Sequence, residues 1–215
     1  MRRMAGSSTA EAAFYFDLAS PLAYLAAERV LHVLPGPAEW QPVLARELPG
    51  GETFEGYRCR EDEDIFRVEV ERRARELGLQ PLRWPEPFPF DSALAMRVAT
   101  YAKSIGRTVP FAQAAFRQAF AGGRALEEAD NVLIAAAACE MHPKAVLTGA
   151  GLRSVDLQLF DATASAVRAG VKDVPAVVVG GAQTDDEQHR VFHGERALEE
   201  AAAHMRASAS AGATR

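Results

Sequence analysis

Cysteine is scarce in this 215-residue chain, which has only Cys59 and Cys139. Two cysteines cannot build a disulfide framework or a four-cysteine zinc site, and their spacing forms no CxxC redox pair. Lysine is confined to Lys103, Lys144 and Lys172, while Lys and Arg together number 24. With abundant alanine, this arginine bias reads as a GC-rich coding sequence and points to no partner. The net charge of -5 and pI near 5.6 leave no basic excess to hold a polyphosphate backbone, so no nucleic-acid partner is expected. Long apolar runs are missing too. IAAAAC and VPAVVV fall far short of the roughly 18–20 residues of a membrane span. The basic N-terminus, MRRMAGSSTAEAA, lacks the apolar stretch of a secretory signal, so a cytoplasmic location is expected. Neither GxGxxG nor GxxxxGK[ST] occurs, and no nucleotide cofactor is indicated. His32, His142, His189, His193 and His204 show no metal-ligand spacing.

What remains is an ordinary globular composition, 48% hydrophobic and 25% charged. The length suits one large domain or a domain carrying an insertion. An apolar strand is expected at Ala13–Asp17. A helix enters through Ser20-Pro21 and runs to about Leu34, with Leu22, Leu25, Ala26, Val30 and Val33 at helical spacing. Pro35-Gly36-Pro37 stops it, and a second strand covers roughly Glu39–Leu44. Four or five helices follow: Ile65–Leu77, Ala93–Ile105, Phe111–Phe120, Glu127–Cys139 and Ser154–Ala169. A proline-rich connector at Pro81–Asp91 separates the first two. Val174–Val179 is a continuous β-branched run, read as a buried strand. A polar loop, a short strand near Val191–Phe192 and a helix at Ala197–Met205 close the chain.

Strand–helix–strand opens the chain and strand–strand–helix closes it, with helices between. That is an α/β chain of thioredoxin layout with an inserted α-helical domain. The expected division is 12–48 plus 170–206 for the split thioredoxin-like part, and 49–169 for the insertion.

In that layout the cysteine pair sits where the first strand turns into the first helix. Here the four residues are Ser20-Pro21-Leu22-Ala23, so both cysteines are absent. The segment FYFDLASPLAYL and the segment GVKDVPAVVVGG at Gly170–Gly181 together resemble the DsbA-like superfamily. They are most similar to its branch of 2-hydroxychromene-2-carboxylate isomerases and kappa-class glutathione transferases. GLQPLRWPEPFPFDSALAMR is similar to the start of that branch's helical domain. The resemblance covers roughly Phe14–Met205.

The resemblance implies glutathione as cofactor, its thiolate held by the hydroxyl of Ser20 at the helix N-terminus beside Pro21. From the residues alone, Ser20 reads as a plain helix cap, with Pro21 at the first helical position. The resemblance further implies a cis bond at Val174-Pro175, whose backbone pairs with a peptide-like ligand as a strand would. Unaided, the same proline reads as a trans residue opening a strand. Relatives carry an aspartate that holds the amino group of the γ-glutamyl end, where this chain has Arg196 with Glu195 adjacent. Either Glu195 takes the amino group or the ligand differs. The asparagine and lysine of relatives near the start of the insertion are also absent, and Arg58 or Arg60 is a substitute for the lysine. The acidic run Glu61–Asp64 reads as a solvated face.

Tyr24, Trp40, Trp84 and Phe88, with Phe90, are candidates to line a pocket for an aromatic or conjugated small molecule. The competing reading for all of them is core packing. The expected activity is that of a glutathione-dependent isomerase, with two alternatives. One is a kappa-like transferase; the other is a DsbA-like protein, an oxidoreductase by kinship only, that binds a thiol or peptide without turnover. The resemblance also implies a homodimer.

Overall fold

The computed structural model describes residues 12–51, 57, 59–180 and 189–213. A mixed sheet occupies the centre, in the order β2-β1-β3-β4. β1 (Ala12–Phe16) runs parallel to β2 (Ala38–Pro42) and antiparallel to β3 (Ala176–Val179). β4 (Arg190–His193) pairs antiparallel with β3 at the edge. Every residue of β1 is buried. Successive side chains of a strand point to opposite faces, so Phe14 and Phe16 enter one core while Ala13 and Tyr15 enter another. The larger core holds Trp40 edge-on to Phe14, with ring centroids 5.0 Å apart, together with Val177 and Val179. The smaller core holds Val43, Leu48, Ala166, Val171, Val174 and Val178. Burial of Tyr15 there pushes its phenol up to about 12.

A parallel pair needs a crossover. Here α1 (Pro21–Ala27) and α2 (Val30–Val33) supply it. The single helix expected over this span is broken at Glu28 and Arg29. Both residues are committed to other elements. Glu28 receives two hydrogen bonds from Arg117, each 2.7 Å, and Arg29 pairs with Glu199 at 2.5 Å. Local apolar spacing carries no trace of those long-range pairs.

Six α-helices lie between β2 and β3 among the described residues. They are α3 (Arg60–Glu76), α4 (Ala93–Ser104), α5 (Thr108–Phe120), α6 (Ala129–Ala137), α7 (Pro143–Ala150) and α8 (Arg153–Arg168). α3 starts earlier than its apolar pattern suggests. The acidic run is its first turn, where carboxylates favour the positive end of the helix dipole. α7 has no counterpart among the expected helices, although His142-Pro143 is an N-terminal signal. Pro143 takes the first helical position, and His142 Nδ1 accepts the Lys144 N–H at 3.3 Å. α7 packs closely on α4, because a Cβ at Gly149 would lie 2.4 Å from the Tyr101 ring.

β3 begins two residues after the start of the apolar run. Pro175 has no N–H, and the Val174 N–H donates to Asp173 Oδ1 at 2.7 Å, so neither joins the ladder. Residues 181–188 of the polar loop between β3 and β4 lie outside the described residues, as does Arg58. α9 (Ala197–Ala213) packs Ala197, Leu198, Ala201 and Ala202 into the larger core. No helix of the described residues is long and apolar enough to cross a membrane.

Candidate functional site

The site is assembled where β1 ends. Asp17 is buried and acts as a clamp. Its Oδ1 accepts the Ala19 N–H and its Oδ2 accepts the Ala45 N–H, both at 2.9 Å. Burial raises its carboxyl above the ordinary value. The two amide donors, the Ser92 hydroxyl and the nearby Arg46 charge oppose that rise without cancelling it. The clamp fixes the turn that presents Ser20, whose N–H donates to the Asp17 carbonyl at 3.1 Å. The sequence carries a signal for it, an acid immediately after an apolar strand.

Ser20 caps α1. Its Oγ accepts the Ala23 N–H at 3.1 Å, and Pro21 occupies the first turn. Accepting that bond leaves the hydroxyl hydrogen free to be donated. Ser20 is only 2% exposed, so a group that reaches it leaves water almost entirely.

Val174-Pro175 is cis. Pro175 and α1 flank one small cavity of about 10 Å³, lined by Leu22, Leu25 and Ala26 of α1, Arg29, Arg73, Leu77, Pro175 and Glu195. That is room for a single water. Tertiary structure thus brings Pro175 and Glu195 to the helix that Ser20 and Pro21 begin. It does not bring Arg196, whose side chain is 77% exposed and faces Glu200 at 3.8 Å. Arg196, expected among the binding residues, lies one position along with its side chain turned outward. Glu195 Oε2 instead faces Arg73 Nε at 3.8 Å. The Val174 N–H, expected to face a ligand, is already taken by Asp173, whose carboxyl burial pushes up. A strand-like ligand has to displace that carboxylate.

The aromatic candidates divide. Tyr24 is buried, with its ring 5.7 Å from Phe120 and 6.2 Å from Phe116, and burial raises its phenol. Trp40 is buried against Phe14 and Phe16. Both are buried in the larger core, at the α1–α5 contact and on the sheet face respectively. Trp84 and Phe88 are half-buried and edge-to-face at 4.8 Å, with the Arg67 guanidinium 5.0 Å from the Trp84 ring. The Trp84 indole donates to Glu71 at 2.7 Å. Phe90 is buried beside Phe120. Arg60 opens α3 on an exposed face.

Strand–helix–strand and strand–strand–helix halves around one sheet, a helical block between them and a cis proline before β3 define a thioredoxin-like fold with a helical insertion. The chain belongs to the DSBA-like thioredoxin domain family, whose profile matches residues 12–206. Among solved structures it is similar to a 2-hydroxychromene-2-carboxylate isomerase, with a TM-score of 0.77 at 16% identity, covering 95% of this chain and 98% of that one. It is also similar to a putative protein disulfide isomerase from Nitrosomonas europaea, with a TM-score of 0.70 at 12% identity and coverage of 94% and 99%. The cytosolic disulfide reductase DsbM from Pseudomonas aeruginosa, solved with GSH, gives a TM-score of 0.63 at 14% identity and coverage of 93% and 98%. Comparison with curated proteins finds no match.

Proposed function

We propose that this chain is a glutathione-dependent isomerase of the 2-hydroxychromene-2-carboxylate isomerase type. The observation that carries the reading is the Ser20 hydroxyl, with a hydrogen to donate, standing where the fold's cysteine pair would sit and capping the helix that shares a cavity with cis-Pro175 and Glu195. Glutathione supplies the missing sulfur, and Ser20 donates to its thiolate. The thiolate adds to an unsaturated carbon of a conjugated aromatic carbonyl compound, and the carbonyl oxygen takes up the negative charge. The former double bond rotates, and elimination restores both the double bond and the thiolate. Glutathione is then a cofactor and is not consumed. The similar fold of a disulfide reductase solved with GSH supports the choice of thiol. A kappa-like transferase uses the same nucleophile but leaves it attached to the product. Assembly as a homodimer belongs to this reading through the resemblance, and location in the cytoplasm accords with the scarcity of cysteine.

Calorimetry with glutathione, on wild type and Ser20→Ala, is the test. Wild type is expected to bind glutathione and to lower the pKa of the bound thiol. Ser20→Ala is expected to abolish that lowering and to cut turnover about 10- to 100-fold, the worth of one hydrogen bond to a charged group. Absence of binding by wild type overturns the reading. The burial of Ser20 and the small cavity favour a second reading, binding of a thiol or peptide without turnover. Binding with an unchanged thiol pKa selects that one.

A further inference from the structure

The backbone that leads into cis-Pro175 is pinned on two sides. The Lys172 N–H donates to His193 Nε2 of β4 at 3.0 Å, and the Lys172 carbonyl accepts the Gly50 N–H at 2.6 Å. Gly50 approaches closely, since a Cβ there would lie 2.7 Å from the Lys172 oxygen and 3.3 Å from Asp173 Cβ. Past the cis bond, the Pro175 carbonyl accepts the Gly194 N–H at 3.1 Å. Between these fixed points the Val174 N–H turns back on its own chain. It donates to the side chain of the preceding residue, Asp173 Oδ1, at 2.7 Å. Burial pushes that carboxyl up, and the Val174 N–H is the one group that works against the rise. A part-buried carboxylate held by one hydrogen bond, without the support of a cation, is readily exchanged for another acceptor.

We infer that Asp173 is an autoinhibitory side chain, whose carboxylate occupies the backbone donor that a strand-like ligand needs at the cis-proline edge. The inference rests on the glutathione reading above for its ligand. Docking is an exchange of acceptors. The Asp173 side chain rotates away, the pinned backbone stays, and an amide carbonyl of the ligand accepts the Val174 N–H in its place. Two consequences for specificity follow from the chemistry of the occupant. A ligand with no carbonyl at that place cannot make the exchange and leaves the donor to Asp173. A ligand carrying negative charge meets a carboxylate of the same sign as it arrives. A peptide-like ligand therefore binds more weakly than the same edge would allow with alanine at position 173. The acid immediately before Val174-Pro175 is the sequence mark of the device.

Calorimetry with glutathione and with triglycine amide, a strand-like probe without a thiol, tests this on wild type, Asp173→Ala and Asp173→Asn. Asp173→Ala is expected to bind both probes about 10-fold more tightly than wild type. Asp173→Asn keeps an oxygen beside the N–H but loses the charge, and is expected to fall between them. Amide exchange followed by nuclear magnetic resonance reads the donor itself. In free Asp173→Ala the Val174 amide is expected to exchange about 10-fold faster than in wild type, and either probe is expected to restore its protection. The amides of β3 are expected to keep their rates. Equal speeding of β3 shows a loosened fold and overturns the inference. So does an Asp173→Ala variant that binds the probes no more tightly than wild type, or one whose Val174 amide exchanges no faster. Tighter binding of triglycine amide alone, with glutathione bound by no variant, sustains the autoinhibitory role and overturns the glutathione reading. Glutathione bound equally by all three, with a thiol pKa that depends on Ser20, does the reverse. Binding of neither probe by any variant overturns both.

Discussion

At the residue scale, Asp17 holds the turn that presents Ser20. Removing it in Asp17→Ala leaves the buried N–H groups of Ala19 and Ala45 without acceptors. At about 1–3 kcal/mol for each buried orphan, the variant is expected to lose about 2–6 kcal/mol in urea unfolding. The pH dependence has a definite sign. The folded carboxyl titrates above the ordinary 3.8, so between that value and its folded pKa the native state binds more protons than the unfolded chain. Its contribution is complete below pH 3.8 and is lost as pH rises through the folded pKa. The stability gap between wild type and Asp17→Ala is therefore expected to narrow as pH rises across that window. A gap independent of pH counts against the burial argument. His193 shows the opposite shift, held low by burial and by Lys172, and its Nε2 accepts the Lys172 N–H at 3.0 Å. That bond ties β4 to the segment leading into cis-Pro175.

At the scale of elements, the contact of α7 with α4 sets two small energies against each other. Alanine is the better helix former by about 1 kcal/mol. A methyl group at Gly149, however, falls 2.4 Å from the Tyr101 ring. Overpacking of that kind costs about 1–3 kcal/mol, so packing wins and Gly149→Ala is expected to destabilise. In a Tyr101→Ala background the same change is expected to stabilise, and thermal unfolding of the four combinations checks the reversal. Elements also show what sequence pattern can reveal. β1 was legible because five small or apolar residues end at a polar turn, and the start of α1 because Ser20-Pro21 is a local cap. The break after Ala27 was not legible, since Glu28 and Arg29 answer to Arg117 and Glu199, far along the chain. The start of α3 was not legible because its first turn is acidic rather than apolar.

At the scale of the molecule, one core joins the sheet to the insertion. Phe116 of α5 lies 5.9 Å from Phe16 of β1 and 6.2 Å from Tyr24 of α1, ring centre to ring centre. Phe116→Ala is expected to cost about 3–5 kcal/mol. Because the cavity it leaves would touch both parts, the insertion is not expected to melt separately. Far-ultraviolet and near-ultraviolet circular dichroism should report a single coincident transition, before and after the substitution. Two separate transitions would show that the insertion keeps a core of its own.

The sequence by itself determined the order of the four strands with a helical block between the second and the third, the absence of a cysteine pair at Ser20-Pro21-Leu22-Ala23, and the Val-Pro segment. Each is written in adjacent residues, through alternation, capping and the missing proline N–H. Tertiary structure alone decided that Tyr24 and Trp40 are core, because burial depends on what the α5 helix and the sheet bring against them. It also sends Glu195 and Arg196, neighbours in the turn before α9, in different directions, one to the cavity and one to solvent. Arg73 carried no local signal in a helix crowded with arginines and glutamates. Only the folding of α3 against α1 and the turn before α9 placed its guanidinium beside Glu195.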